Sequence, residues 1–481
     1  MDKYRLADII INNFQQAKKS DLNIHHIATI KDVIFINDLK KLNKIEKFYK
    51  QTSYLRKHII SKPEYYQKMK CILLETIEFD DMNKLKSDFQ ILEKVGFNAF
   101  GPYDSFNPKV KELLRGELKY LINKKFNAKY IDYGENASTI LTKDSNTSLH
   151  TGILYMIEYM NMSKFMSYDV FMNLDPKFTD VKIYHTNTNI NNIYLLANDT
   201  ETNYDVNQLD FMCQIGDTVI NTMNQLFNKT INILNIDLIL FLSKALKKFP
   251  EHQHPLTENE VNSADTYTFQ HPLIRLYRQE EMFKVFIHEL IHATQCDKLV
   301  DSNIQYIFNV NSSLRTIETI TETFAEFINC VIYSHIHKMD LDKVLEQEIN
   351  FGFKQTARIL NHFNFTSVND FLNRTNNQII QTTSAFEYHI LKTVLLFKFD
   401  EYLKKVIEHG NLTDLIITTM KSKEYQYSVN TNIKQNHNDT FRMTIVELKT
   451  IKQNGGSNRA MYEYYKNKYL ILKKNYSNLY I

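Results

Sequence analysis

The chain has 481 residues, 43% hydrophobic and 23% charged, which is enough for a substantial core and too apolar for a largely disordered polymer. Its 58 basic and 55 acidic residues leave a net charge of +3, so charge makes no case for a dedicated nucleic-acid binder or a membrane-surface protein. Four scattered cysteines, Cys71, Cys213, Cys296 and Cys330, contain no CxxC pair; this argues against a disulfide framework or a thiolate zinc site and for a reducing compartment, the cytoplasm.

In the opening stretch, MDKYRLADIIINNFQQAKK, the residues Leu6, Ile9, Ile10 and Phe14 recur at helical spacing with no uninterrupted apolar run. The pattern predicts an amphipathic helix, not a signal peptide. Helical periodicity continues in DDMNKLKSDFQILEKVGF (80–97) and PKVKELLRGELKYLINKKF (108–126), on either side of the turn FGPYDSFNP. A mainly helical N-terminal region is therefore expected over 1–145, followed by a larger domain over 146–450. Between about 165 and 278 the texture changes to β-branched and aromatic runs: YDVFMNL, VKIYHT, NNIYLLA, INILNIDLILFLS and HPLIRLYR. These predict a sheet. The most apolar of them, INILNIDLILFLS at 231–243, is too short to span a bilayer and carries Asp237. Arg275 and Arg278, in the last run, are expected at a strand end on the surface.

After residue 279 helical spacing returns. FKVFIHELIHATQCDKLV (283–300) contains HELIH, in which His288 and His292 stand four apart with Glu289 beside the first. On a helix, residues four apart lie one turn apart on one face, so two imidazole nitrogens can aim at one point. Such nitrogens bind zinc, and a neighbouring carboxylate can take a proton from a water polarised by the ion. The plain alternative is a helix whose histidines are solvated or satisfied in the core. A zinc site also needs a third protein ligand. The next helical segment, RTIETITETFAEFINC, places Glu318, Glu322 and Glu326 at successive four-residue intervals on one face. Further on, AFEYHILKTVLLFKFDEYLKKVIEH predicts another helix, and Gly455-Gly456 marks a hinge before a basic tail rich in Tyr and Lys (451–481). That tail reads as a terminal amphipathic helix or a partner-docking segment.

HELIH followed by TETFAEF resembles the zincin metallopeptidases, and within them the gluzincin branch, over about residues 230–330. The resemblance implies an α+β fold in which a mixed sheet precedes the HExxH helix and a glutamate helix. It implies one Zn2+ held by His288, His292 and Glu322, with Glu326 as the acid that holds a ligand histidine's other ring nitrogen. It also implies peptide-bond hydrolysis, with Glu289 as general base, acting on a peptide or protein substrate. Asp297 and Asp301 stay open as aspartate ligands. The extended metzincin pattern is excluded, because Gln295 and Lys298 stand where it needs Gly and a third His. An oxyanion donor is sought at Tyr388 or His389 in SAFEYHILK, where plain packing is the alternative. In this fold an edge strand beside the cleft can pair with an extended peptide. VNSADTYTF (261–269), with Asn262 and Ser263, is the stretch for that role, although a connecting loop is the simpler expectation.

Two other readings share these residues: a catalytically silent scaffolding protein that keeps the fold, and a zinc hydrolase of a non-peptide bond. The richness in Asn, Ile, Lys and Tyr and the absence of Trp resemble proteins of AT-rich large DNA viruses. A viral origin would put the protein in the host cytoplasm or the virion. No nucleic-acid or membrane partner is expected, and the oligomeric state is left open.

Overall fold

The computed structural model describes residues 1–19, 24–30, 170, 180–197, 206–229 and 235–448, the last with gaps at 251–252, 269–271, 300–307, 313, 374–376 and 434–439. The helices expected at 80–97 and 108–126, their connecting turn, nearly all of YDVFMNL, Asp301 and the tail 451–481 lie outside the described residues.

The expected α+β class with a mixed sheet is present. Helix α1 (Lys3–Lys19) is followed by strands β1 (Ile24–Ile30), β2 (Asp180–Thr186) and β3 (Ile190–Ala197), then helix α2 (Val206–Leu226) and strand β4 (Ile236–Ser243). A four-residue helix, α3 (Glu258–Val261), precedes strands β5 (Ala264–Tyr267) and β6 (Leu273–Arg278). Helices α4 (Met282–Thr294), α5 (Thr316–His337), α6 (Leu341–His362) and α7 (Val368–Leu372) follow. A π-helical turn at Glu387–Leu391 then leads into α8 (Lys392–Phe397), α9 (Phe399–Ile407), α10 (Leu412–Lys421) and α11 (Lys423–Ile433).

Among the described residues the sheet has six strands in the order β1-β2-β3-β4-β6-β5. β3, β4 and β6 run parallel, while β1, β2 and β5 are antiparallel to their neighbours. The continuous apolar run of 236–243 becomes the central strand β4, buried along its whole length, as a parallel strand covered on both faces must be. Asp237 is tolerated there because Asn192 Nδ2 donates to it at 2.9 Å. Strand β5 was expected as a loop; instead ADTY forms a short antiparallel edge strand, too short and too polar to show period-two alternation. β1 likewise falls within a region expected to be helical, and α2 is a helix inside the sheet region. α2 supplies the crossover that the parallel pairing of β3 with β4 requires.

α1 packs against α2 and α5, and β1 pairs with β2, so these N-terminal elements belong to the same core as the later chain. α4 lies against α2, α5, β5 and β6 and is buried on nearly every side, which explains an apolar sequence without a clear polar face. Its N-terminal neighbour Glu281 adopts φ 59° and accepts from Lys247 Nζ at 2.7 Å and Thr444 N at 2.6 Å. Arg275 and Arg278 are not on the surface, being 0% and 2% exposed. Arg275 is stabilised in the interior by a two-point pairing with Asp265, at 2.7 and 2.6 Å. No described helix is long and apolar enough to cross a membrane.

Candidate metal centre

The helical spacing of α4 brings His288 Nε2 and His292 Nε2 to 3.1 Å from one another, with the rings at 79°. α5 packs against α4 and places Glu318 Oε2 3.3 Å from His292 Nε2 and 3.4 Å from His288 Nε2. The three atoms form a nearly equilateral triangle. A tetrahedral ion with bonds of about 2.0 to 2.2 Å separates its ligand atoms by roughly 3.3 to 3.6 Å. The donor set of two imidazoles and one carboxylate, and the size of the triangle, therefore fit one divalent ion of zinc's dimensions.

The opposite ring nitrogens are fixed as well. His288 Nδ1 lies 2.8 Å from Glu322 Oε2, and His292 Nδ1 lies 2.5 Å from Asp297 Oδ2. An ionised carboxylate only accepts, so each Nδ1 carries a proton, and Nε2 is the ring nitrogen left to offer a lone pair to a cation at the shared point. Asp297 reaches His292 because α4 ends at Gln295, with φ 55°, and the next residues curl into a 3-10 turn, Cys296–Leu299. Thr321 Oγ1 donates to the same Asp297 oxygen at 3.2 Å. Cys296 is buried in that turn and does not line the cleft.

On α5 the glutamate brought to the two histidines is Glu318, one helical turn before Glu322. Glu322 does not join the triangle: it stands behind His288, paired with Lys284 Nζ and 3.8 Å from Lys392 Nζ. Glu326, expected behind a histidine, instead accepts from Lys392 Nζ at 3.0 Å. The physical reason is the depth at which α5 sits. Packed against α4, with Arg315 N–H donating to Glu387 Oε1 at 2.8 Å at its N-terminal end, α5 has Glu318 level with the histidines. Three glutamates at identical spacing give a reader of the sequence no means of choosing among them.

Glu289 faces the cleft, and its Oε2 accepts from Thr266 Oγ1 of the edge strand at 2.6 Å. Burial raises its pKa, against the opposing pull of His288, His292 and the Thr266 hydroxyl. Burial opposes charge on both histidines, but their carboxylate partners prevail and raise the pKa of each. Glu318 is pushed up by burial and pulled further down by the two imidazoles, to well below the usual carboxylate range. Glu322 is likewise held low, chiefly by Lys284 once burial is overcome.

The two oxyanion candidates part company. Tyr388, in the π-helical turn, presents its ring edge to His288 at 5.6 Å and donates its hydroxyl to Glu318 Oε2 at 3.0 Å. Burial and then the charges of Glu318 and Glu289 keep its phenol protonated. His389 points away, stacks on Phe441 at 4.2 Å, and is kept neutral by burial and the nearby lysines. The cleft has a volume of about 680 Å³, and β5 with its lead-in forms one wall through Asn262, Ser263 and Thr266.

A second buried group, Glu326, Cys330 and Glu348, also brings possible ligand atoms together. It lies outside the cleft lining, and the Lys392 ammonium already occupies it at 3.0 Å from Glu326. Compared with family models, curated proteins and solved structures, the chain matches none of them.

Proposed function

We propose that the protein is a zinc-dependent hydrolase of zincin type that cleaves peptide bonds, with His288, His292 and Glu318 as ligands and Glu289 as general base. The observation that carries this reading is the triangle of two imidazole nitrogens and one carboxylate oxygen, 3.1 to 3.4 Å on a side, with Glu289 beside it in an open cleft. Zinc held there would supply a Lewis acid for a carbonyl oxygen and would bring the pKa of water down to about 7.

The remaining chemistry belongs to the chain. Glu289, made more basic by burial and steadied by Thr266, takes the proton of the attacking water and returns it to the departing amine. Tyr388 is the neutral hydroxyl donor at the cleft for charge growing on the carbonyl oxygen. Glu322 and Asp297 hold the two imidazoles in one tautomer and one orientation. In this assignment the resemblance to the gluzincins holds with its glutamates moved one turn: Glu318 is the ligand and Glu322 the acid behind the first histidine. The Glu326 cluster is the weaker metal site, because an ammonium ion in hydrogen-bond contact competes with any cation there.

The test is metal analysis of the full-length protein together with turnover of a broad peptide mixture. One zinc per chain is expected, and Glu289→Gln should keep the zinc while losing at least about 100-fold in turnover. Stoichiometric zinc without Glu289-dependent cleavage would favour the silent scaffold, and absence of zinc would remove both metal readings.

A further inference from the structure

The charges lining the cleft are unequally matched. Every carboxylate there has a partner inside the protein. Asp265 is clasped by the Arg275 guanidinium, and Glu322 is paired with Lys284. Asp297 serves His292 and Thr321, while Glu289 takes the Thr266 hydroxyl. Glu318 stands against both histidines and Tyr388.

The two cationic side chains on the same wall differ. Lys298 and Arg315 both line the cleft and are both exposed. Among the described residues Lys298 Nζ touches only the neutral Gln295 amide oxygen, at 3.2 Å, and neither side chain has an ion pair. Elsewhere in the same molecule three buried lysines are matched: Lys247 with Glu281, Lys284 with Glu322, Lys392 with Glu326. A divalent ion in the triangle offsets Glu318 and Glu289, and Asp297, whose partners His292 and Thr321 are then neutral, offsets one of the two cations, so the cleft lining keeps a positive excess of one. Asn262, Ser263, Thr383 and Ser384, which also line the cleft, contribute no charge.

We infer that the cleft selects peptides with Asp or Glu side chains close to the bond to be cut, and that Lys298 and Arg315 are the residues that select them. This rests on the hydrolase reading for the cleavage step and not for the binding step. Exposed ion pairs are individually weak, so each cation contributes about threefold in affinity and the two together about tenfold. Such selection also fades as salt is raised.

Binding is measured by fluorescence anisotropy on full-length, zinc-loaded Glu289→Gln protein. Three labelled decapeptides are used, identical except for Glu, Gln or Lys at the central positions. The Glu peptide should bind about tenfold more tightly than the Gln peptide at low salt, and the Lys peptide most weakly. Lys298→Gln with Arg315→Gln should bring the Glu and Gln peptides to within about twofold. Equal binding of the three, no binding, or an acidic preference that survives the double substitution would overturn the inference. Wild-type protein is then given the same peptides with cleavage read by mass spectrometry. Acid-selective binding without cleavage of any peptide leaves the inference standing and removes the hydrolase reading. Cleavage indifferent to charge does the reverse.

Discussion

Helices α4 and α5 carry two polar regions, one on each side of their contact. On the cleft side, His288, His292 and Glu318 bring three electron-pair donors to one locus. Behind them, Lys284, Glu322, Lys392 and Glu326 alternate in sign, and each carboxylate meets an ammonium. The back region uses the ordinary solution for buried charge, which is pairing. The front adds a feature the back lacks: two imidazole nitrogens and one carboxylate oxygen, 3.1 to 3.4 Å apart, converge on a point that a shared cation would suit. Glu322 joins the two regions, with one oxygen on Lys284 and the other on His288. The back thereby aims the front.

That contrast can be broken from either side. The largest effect is expected at the front: Glu318→Ala should abolish zinc retention on dialysis. Glu322→Gln should keep the metal with affinity lowered about 10- to 100-fold, measured by competition with a chromophoric chelator. The opposite ranking of these two variants would restore Glu322 as the ligand. At the back, Lys392→Ala leaves Glu326 and the neighbouring Glu348 without their shared cation in the interior. It should cost about 3 to 5 kcal/mol in urea unfolding. A shift near zero would show that this network contributes no stability.

The smallest effect concerns pH. Burial, and then the charge of Glu326, pushes the Glu348 carboxyl from 4.5 up to about 8. Between those values the folded chain holds a proton at Glu348 that the unfolded chain has released, so stability falls as pH rises through the window and levels off above about 8. The slope from this group is at most about 1.4 kcal/mol per pH unit. Glu348→Gln should flatten it, and an unchanged slope would assign the dependence to other groups.

The sequence was informative where chemistry is carried by local spacing. HELIH needs only a helix to align its two histidines, and the shift to β-branched runs correctly anticipated β2, β3, β4 and β6. Choosing among Glu318, Glu322 and Glu326 was a different problem. It depends on how far α5 slides along α4, which is a matter of tertiary packing and of partners such as Glu387, 72 residues beyond the Arg315 N–H that it accepts from. Lys284, Lys392 and Arg275 were misleading or silent for a related reason. A charged residue looks solvated until the opposite charge that lets it be buried is known, and those partners come from other elements. Thr266 went unnoticed because ADTY has too few residues to display a strand pattern.

Residues 441–448 lie across the back of this assembly. Thr444 N–H donates to Glu281, Glu348 accepts from the Ile445 and Val446 backbone, Asn329 donates to Val446 O, and Lys392 donates to Met443 O. Translation delivers these groups long after their partners: Thr444 follows Glu281 by 163 residues and Val446 follows Asn329 by 117. A nascent polypeptide therefore lacks part of the hydrogen bonding of Glu281 and Glu348 until this stretch has been made. Part of the hydrogen bonding behind the His288 support thus rests on eight residues that lie far from their partners in the sequence.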